Sequence, residues 1–190
     1  MPYTAQHKAE TRGRIVESAR RLFNRHGFEQ VSIDQIMKEA GLTRGGFYNH
    51  FGSKDALYAE AVASFINCSP LAKTRPPVTD AKGLAHMLVK LYLSDEVLAD
   101  PDKHCPLYAL PSDVARAGLK PQKAYTDLIR DMAGIFRAAL KGARDAEQRA
   151  QTMVSLCVGG MVLARTTHDA QLRRSLREAA RSQALELLER

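Results

Sequence analysis

Apolar residues recur at helical spacing in nearly every segment of the chain. Ile15, Val16, Ala19, Leu22 and Phe23 form the first stripe, which predicts a helix from about Thr11 to His26, closed by Gly27. Residues 1–11 ahead of it read as a mobile polar arm. Ile33, Ile36, Met37 and Ala40 form a second, short stripe. Ser32 and Gln35 precede it with the S-x-x-Q spacing of a capping box. Gly41 follows it, where a glycine takes the left-handed geometry that stops a helix. Leu42 plugs the corner, and Thr43 is placed to cap a second short helix through Phe47 and Tyr48. Two helices this close in sequence cross steeply. That is the helix-turn-helix arrangement, which leaves the second helix free to enter a major groove.

The rest of the chain continues the pattern. Ser53 caps a helix from Lys54 to about Asn67, with Leu57, Ala61 and Phe65 inward. The stretch PLAKTRPPVTDAKG, residues 70–83, marks a loop and a soft domain boundary. From about Gly83, the residues Leu84, Met87, Leu88, Leu91 and Tyr92 make one stripe, which DPDKH breaks. CPLYALPSDVARAG is a short helix interrupted by Pro111. A long helix from Pro121 to Leu140 turns Tyr125, Leu128, Ile129, Met132 and Phe136 inward. Helices over Ala146–Thr166 and Ala170–Arg190 end the chain. The first of these is apolar nearly all round from Met153 to Leu163, so it is expected to be buried on several sides. Gly159 and Gly160 sit in its middle, each costing about 1 kcal/mol against alanine. Close approach of another helix would explain them. The expectation is an all-α chain of about nine helices, with a three-helix helix-turn-helix domain over 1–55 and a helical domain over 56–190.

Composition narrows the function. The 190 residues carry a net charge of +7, unevenly spread. Lys and Arg outnumber Asp and Glu by nine to six over 1–55, match them nine to nine over 56–136, and exceed them ten to six over 137–190. A basic N-terminal segment suits a polyanion partner, yet this surplus is too small for a protein that packages DNA without regard to sequence. The longest apolar run, Met153 to Ala164, is too short to span a bilayer. Cys68, Cys105 and Cys157 are odd in number and scattered, and no signal-peptide pattern opens the chain. They read as reduced thiols in a cytoplasm. No G-x-S-x-G, H-E-x-x-H, phosphate loop or paired carboxylates suggest an enzyme. His86, His104, Cys105 and His168 lack metal-site spacing, so neither metal nor cofactor is expected.

The segment after Leu42 has chemistry suited to DNA. Arg44 is the base reader, since a guanidinium can bind guanine O6 and N7 together. Thr43 and Asn49 can add contacts, and Gln35 can reach from the preceding helix. Gly45 and Gly46 have no side chains and permit close backbone approach. Tyr48, His50 and Lys54 suit phosphates, although a structural hydrogen bond is a rival reading for His50. Phe47 and Phe51 read as core. Lys8, Arg12 and Arg14 attract phosphates or serve solubility.

At these residues the chain resembles the tetracycline-repressor (TetR) family. The matching positions are Gly27, Phe28, Ile36, Ala40, Gly41, Leu42, Gly46, Phe47, Tyr48, His50, Phe51, Lys54 and Leu57. The match covers roughly residues 12–60, about a quarter of the chain. Met37 departs from it, where the family more often has a small residue. The resemblance implies DNA-contact roles for Thr43, Tyr48, His50 and Lys54, and a C-terminal ligand-binding and dimerisation domain. It implies a homodimer on a double-stranded, near-palindromic operator, paired through the last two helices. Val158, Gly159, Val162, Leu172, Leu176 and Leu185 would supply that interface; packing within one chain is the alternative. It implies a cavity for a small-molecule ligand among helices four to eight. Phe65, Met87, Leu91, Cys105, Tyr108, Tyr125, Ile129 and Met132 are its candidates, each also readable as plain core. The run HCPLYALPSDVAR resembles the family segment that borders the cavity, which raises Cys105, Leu107, Tyr108 and Leu110. The helix from Lys54 would carry the signal by tilting. These features together imply a cytoplasmic repressor released by its ligand. An alternative is a thiol-based sensor, because Cys105 follows His104 and is placed to open a helix, a setting that lowers thiol pKa.

Overall fold

The computed structural model describes residues 5–69, 71–72 and 80–190. These hold ten α-helices, two 3-10 segments and no strand. The N-terminal unit comprises α1 (Ala5–His26), α2 (Ile33–Glu39) and a 3-10 segment (Arg44–Asn49). After it come α3 (Lys54–Cys68), α4 (Ala81–Tyr92), α5 (Asp95–Ala99), a 3-10 turn (Pro101–Lys103), α6 (Pro106–Ala109) and α7 (Pro111–Arg116). The chain ends in α8 (Leu119–Ala139), α9 (Ala146–Thr166) and α10 (Ala170–Glu189).

Three expectations are corrected here. The first helix begins at Ala5, not near Thr11. Nothing between those positions breaks a helix, and Gln6 Nε2 donates to Glu10 one turn on, at 3.0 Å. Residues 1–4 of the expected arm lie outside the described residues. In the expected loop 70–83, Leu71 and Ala72 are helical and Asp80 caps α4 by accepting from the Gly83 N–H at 2.6 Å. Residues 70 and 73–79 of that loop lie outside the described residues. The expected second helix of the turn is 3-10 in geometry, and the Thr43 side chain makes no cap bond. Gly45 and Gly46 sit in its first turn, where two residues of poor helix propensity weaken the α form.

The turn itself follows its local chemistry. Ser32 Oγ accepts from Gln35 N at 3.2 Å, and Gln35 Oε1 accepts from Ser32 N at 2.7 Å, a full capping box. Gly27 and Gly41 have φ of 79° and 68°, the left-handed region that favours glycine. Phe23, Ile36 and Phe47 are fully buried where α1, α2 and the 3-10 segment meet. Phe23 and Phe28 also pack on Tyr58 of α3, with ring centroids at 5.0 and 4.5 Å. α3 therefore shares one core with the N-terminal unit. Its other side lies along α8, whose Leu128, Met132 and Phe136 are buried at spacing four. Ile129, expected inward, lies just off that stripe and is 38% exposed. α9 and α10 lie side by side, and α4 fills the space between α8 and α10.

Candidate nucleic-acid interface and buried cavity

In the 3-10 segment burial alternates. Phe47 is fully buried and Phe51, just beyond it, nearly so, while Arg44, Gly45, Tyr48 and Asn49 are exposed. Arg44 reaches back to Asp34 at 2.8 Å, and both partners are solvated. Such a pair is weak and exchanges readily for a base edge or phosphate. Tyr48 is 61% exposed, with its ring edge braced on Phe47 at 5.2 Å. A Cβ at Gly45 would meet nothing within 4 Å, so packing within the chain does not require a glycine there. Gln35 keeps its oxygen on the Ser32 amide, leaving only its NH2 for a base.

Two expected phosphate contacts are differently placed. Lys54 turns its ammonium inward, donating to the Phe28 carbonyl at 2.6 Å and lying 4.1 Å over the Phe28 ring. Burial pushes its pKa down. Replacing Lys54 by alanine is expected to lower stability by about 1 kcal/mol and leave the salt dependence of DNA binding unchanged. A slope smaller by about one in log Kd against log salt would return Lys54 to the phosphate contacts. His50 is half-buried, with no partner for Nδ1 among the described residues. Burial, aided by Lys8 and Arg12, lowers its pKa and keeps the ring neutral at pH 7.

Arg12, expected near the start of the first helix to attract phosphates or serve solubility, is a brace. Its guanidinium lies 4.0 Å over the Phe51 ring, donates to Glu60 at 3.0 Å and also donates to the His50 carbonyl. It ties α1, the 3-10 segment and α3 together. No sequence spacing marks that role, because the partners are 38 and 48 positions away.

A cavity of about 570 Å³ opens among α3, α4, α6 and α8, within the size range of small-molecule sites. Phe65, Leu91, Cys105, Tyr108 and Met132 of the expected set line it, with Leu107. Met87, Tyr125, Ile129 and Leu110 do not belong to its wall. Tyr125 instead donates to the Leu107 carbonyl at 2.6 Å, holding α6 against α8. The wall also includes Leu88, Tyr92 and Leu128. Cys105 does open α6, but it is 3% exposed and burial pushes its thiol up to about 12. Desolvation outweighs the four-residue helix, and the thiol stays protonated and unreactive.

The cavity wall and α1 are joined by buried polar contacts. Arg20 (3% exposed) pairs with Glu17 through two hydrogen bonds and donates to the Asp102 carbonyl at 2.6 Å. Asn24, also buried, donates to the carbonyls of Pro101 and His104 at 3.3 and 2.9 Å. Arg25 grips the Asp102 carboxylate at 2.8 Å. Residues 101–105 thus touch α1 on one side while Lys103 and Cys105 line the cavity on the other. A polar residue on an otherwise apolar helix stripe, as at Arg20 and Asn24, was the available sequence signal.

On α9, Thr152, Ser155, Gly159, Leu163 and Thr166 share the side away from the core. The hydroxyls of Thr152, Ser155 and Thr166 bond back to carbonyls four residues earlier at 2.8–3.0 Å. The face therefore presents small, mostly apolar groups. Val158 and Val162 flank it, half-buried. Leu172 (48% exposed) and Leu176 share a face of α10. Leu185, thirteen residues beyond Leu172, falls on the opposite side of that helix and packs on the core.

The chain is similar to known proteins in two tiers. The model of bacterial regulatory proteins of the tetR family matches residues 15–61. The HTH-type transcriptional regulator AcrR of Shigella flexneri is 44% identical over 57 residues, which is 30% of this chain and 26% of that protein. That match spans about a quarter of the relative's length. The HTH-type transcriptional regulator LmrA of Bacillus subtilis is 26% identical over 170 residues, covering 85% of this chain and 89% of that protein. The structure of a TetR-family transcriptional regulator from Cytophaga hutchinsonii superposes with a TM-score of 0.79 at 19% identity, covering 98% and 97% of the two chains. The fold extends over the whole chain, while the stronger sequence likeness is confined to the N-terminal unit.

Proposed function

We propose that the chain is a DNA-binding regulator of the TetR family of bacterial regulatory proteins, whose model matches residues 15–61, and that it is a dimeric repressor released from its operator by a small molecule. The observation that carries this reading is the double role of residues 101–105. The same segment walls the cavity and is hydrogen-bonded to α1 through Arg20 and Asn24. A ligand that fits the cavity better in one arrangement of that wall shifts the population toward it, and α1 shifts with it. The 3-10 segments of two protomers then no longer face successive major grooves of a near-palindromic site. The side of α9 around Gly159, with Leu172 and Leu176, supplies the dimer contact. We take 1–55 as the DNA-binding part and 56–190 as the regulatory part, with α3 belonging to both. The site of action is the cytoplasm. Among the described residues no helix is long and apolar enough to cross a membrane.

A gel-shift titration on the protein's own promoter region tests the reading. Saturable binding that resists excess competitor DNA is expected; binding abolished equally by any DNA rules it out. Arg44→Ala is expected to lose about 2 kcal/mol of discrimination against mismatched sites. The thiol-sensor alternative predicts weaker DNA binding after diamide. With Cys105 and Cys157 both pushed up to about 12 by burial, the expected result is no change in affinity.

A further inference from the structure

Three helices converge on the side chain of Arg165. It lies in the last turn of α9, and its guanidinium donates to the Ala109 carbonyl at 2.8 Å and to the Asn24 carbonyl at 3.4 Å. Ala109 is the last residue of α6, and Asn24 lies in the last turn of α1. Carbonyls at a helix C-terminus have no intrahelical donor, and the helix dipole places partial negative charge there. A guanidinium can meet two such ends at once, because its N–H groups form a planar fork. An ammonium on a lysine stem is a single point charge and serves one end at a time.

Asn24 is thus held from two directions. Its side-chain amide donates to the Pro101 and His104 carbonyls of the cavity wall, while its own carbonyl accepts from Arg165 of α9. Arg20 and Arg25 also grip the wall, at Asp102. In the proposed mechanism that wall is the part that moves. The Arg165 contact instead fixes α1 against α9, the helix assigned to the dimer contact. α1 acts as a lever for the DNA-reading segment. Arg12, which braces that segment, lies twelve residues from Asn24, about 18 Å along the helix. A tilt of about 10° at Asn24 therefore moves the bracing end by about 3 Å, close to the rise of one base pair.

Resting on the dimeric-repressor reading, we propose that Arg165 is a positioning residue for DNA recognition. By fixing the end of α1 against α9 it sets the separation of the two reading segments. It thereby selects operators by the spacing of their half-sites, without touching a base.

The test uses the full chain and the operator footprinted in its own promoter region. Gel shifts compare that operator with duplexes whose centre is one base pair longer or shorter, and with a duplex carrying one base change inside a half-site. Wild type is expected to prefer the native spacing by about tenfold, because one base pair of displacement also turns a half-site by about 34° around the duplex. In Arg165→Ala the preference is expected to fall to about threefold or less, while the penalty for the base change stays as in wild type. Arg165→Lys keeps a cation at the helix ends and guards against misfolding. With an unchanged melting temperature, its spacing preference is expected to fall between those of wild type and Arg165→Ala. A merely structural loss would weaken every duplex by the same factor. The proposal is overturned by either variant if it is folded and keeps the full spacing preference, or if its base-change penalty shrinks in step. A different result overturns the dimeric reading itself: the wild type sediments as a monomer on the operator, or binds an isolated half-site as tightly as the whole.

Discussion

Arg20→Ala is expected to lower unfolding stability by about 2 kcal/mol, because the buried guanidinium's bonds to the Asp102 carbonyl and to the partly exposed Glu17 are lost. The Asp102 carbonyl then has no donor from α1, and Glu17 keeps only the exposed Arg21, 3.0 Å away. Urea unfolding measures the loss, and a value under about 1 kcal/mol would refute the assignment. Acid adds a second readout. The Arg20 hydrogen bonds hold the Glu17 carboxyl below the usual carboxylate range. Wild-type stability from this pair is therefore present above the unfolded-state pKa. It disappears as pH falls through the depressed folded-state value. The variant lacks that part of the acid dependence. Under the proposed coupling, a folded Arg20→Ala protein still binds operator DNA but responds less to its effector.

The adjacent glycines of α9 are expected to respond with opposite sign. A Cβ at Gly160 would lie 2.7 Å from Ala180 Cβ on α10 and 3.3 Å from Leu93 Cδ2. Gly160→Val therefore overpacks the α9–α10 contact and adds a branched side chain to a helix, at a cost of about 3 kcal/mol. At Gly159 a Cβ would meet nothing within 4 Å. Gly159→Ala is expected to stabilise the isolated chain by up to about 1 kcal/mol, through helix propensity. If Gly159 faces a second protomer closely, the same change weakens the dimer. Thermal melts give the first effect and sedimentation the second. A dimer unaffected by Gly159→Ala and by Leu172→Glu would remove this face from the interface.

Local chemistry was readable from sequence and distant pairing was not. The capping box at Ser32, the stops at Gly27 and Gly41, and the limits of α9 each depend on residues within a few positions, so pattern alone located them. The start of α1 was missed because a polar run such as AQHKAE carries no apolar stripe, yet nothing in it opposes a helix. Five of the eight expected cavity residues line the cavity, since a pocket between helices borrows its wall from their inward stripes. Met87, Tyr125 and Ile129 fell outside because helical spacing gives a face but not which neighbour covers it. Lys54, Arg12 and Arg20 were misread or missed for one reason. The sequence shows a cation, while its role depends on a carbonyl or ring supplied from far along the chain.

The alternation of burial through residues 44–51 bears on how such a protein diverges. Phe47 and Phe51 hold the fold from the inside, braced by Arg12, while Arg44, Gly45, Tyr48 and Asn49 face outward, Tyr48 resting one ring edge on Phe47. Gly45 has open space beside it, so a Cβ there meets no neighbour within 4 Å. On the proposed reading of these residues as the DNA contacts, one copy can after gene duplication change its operator preference by substitutions at these outward positions. The buried contacts of Phe47, Phe51 and Arg12 are left in place by such changes.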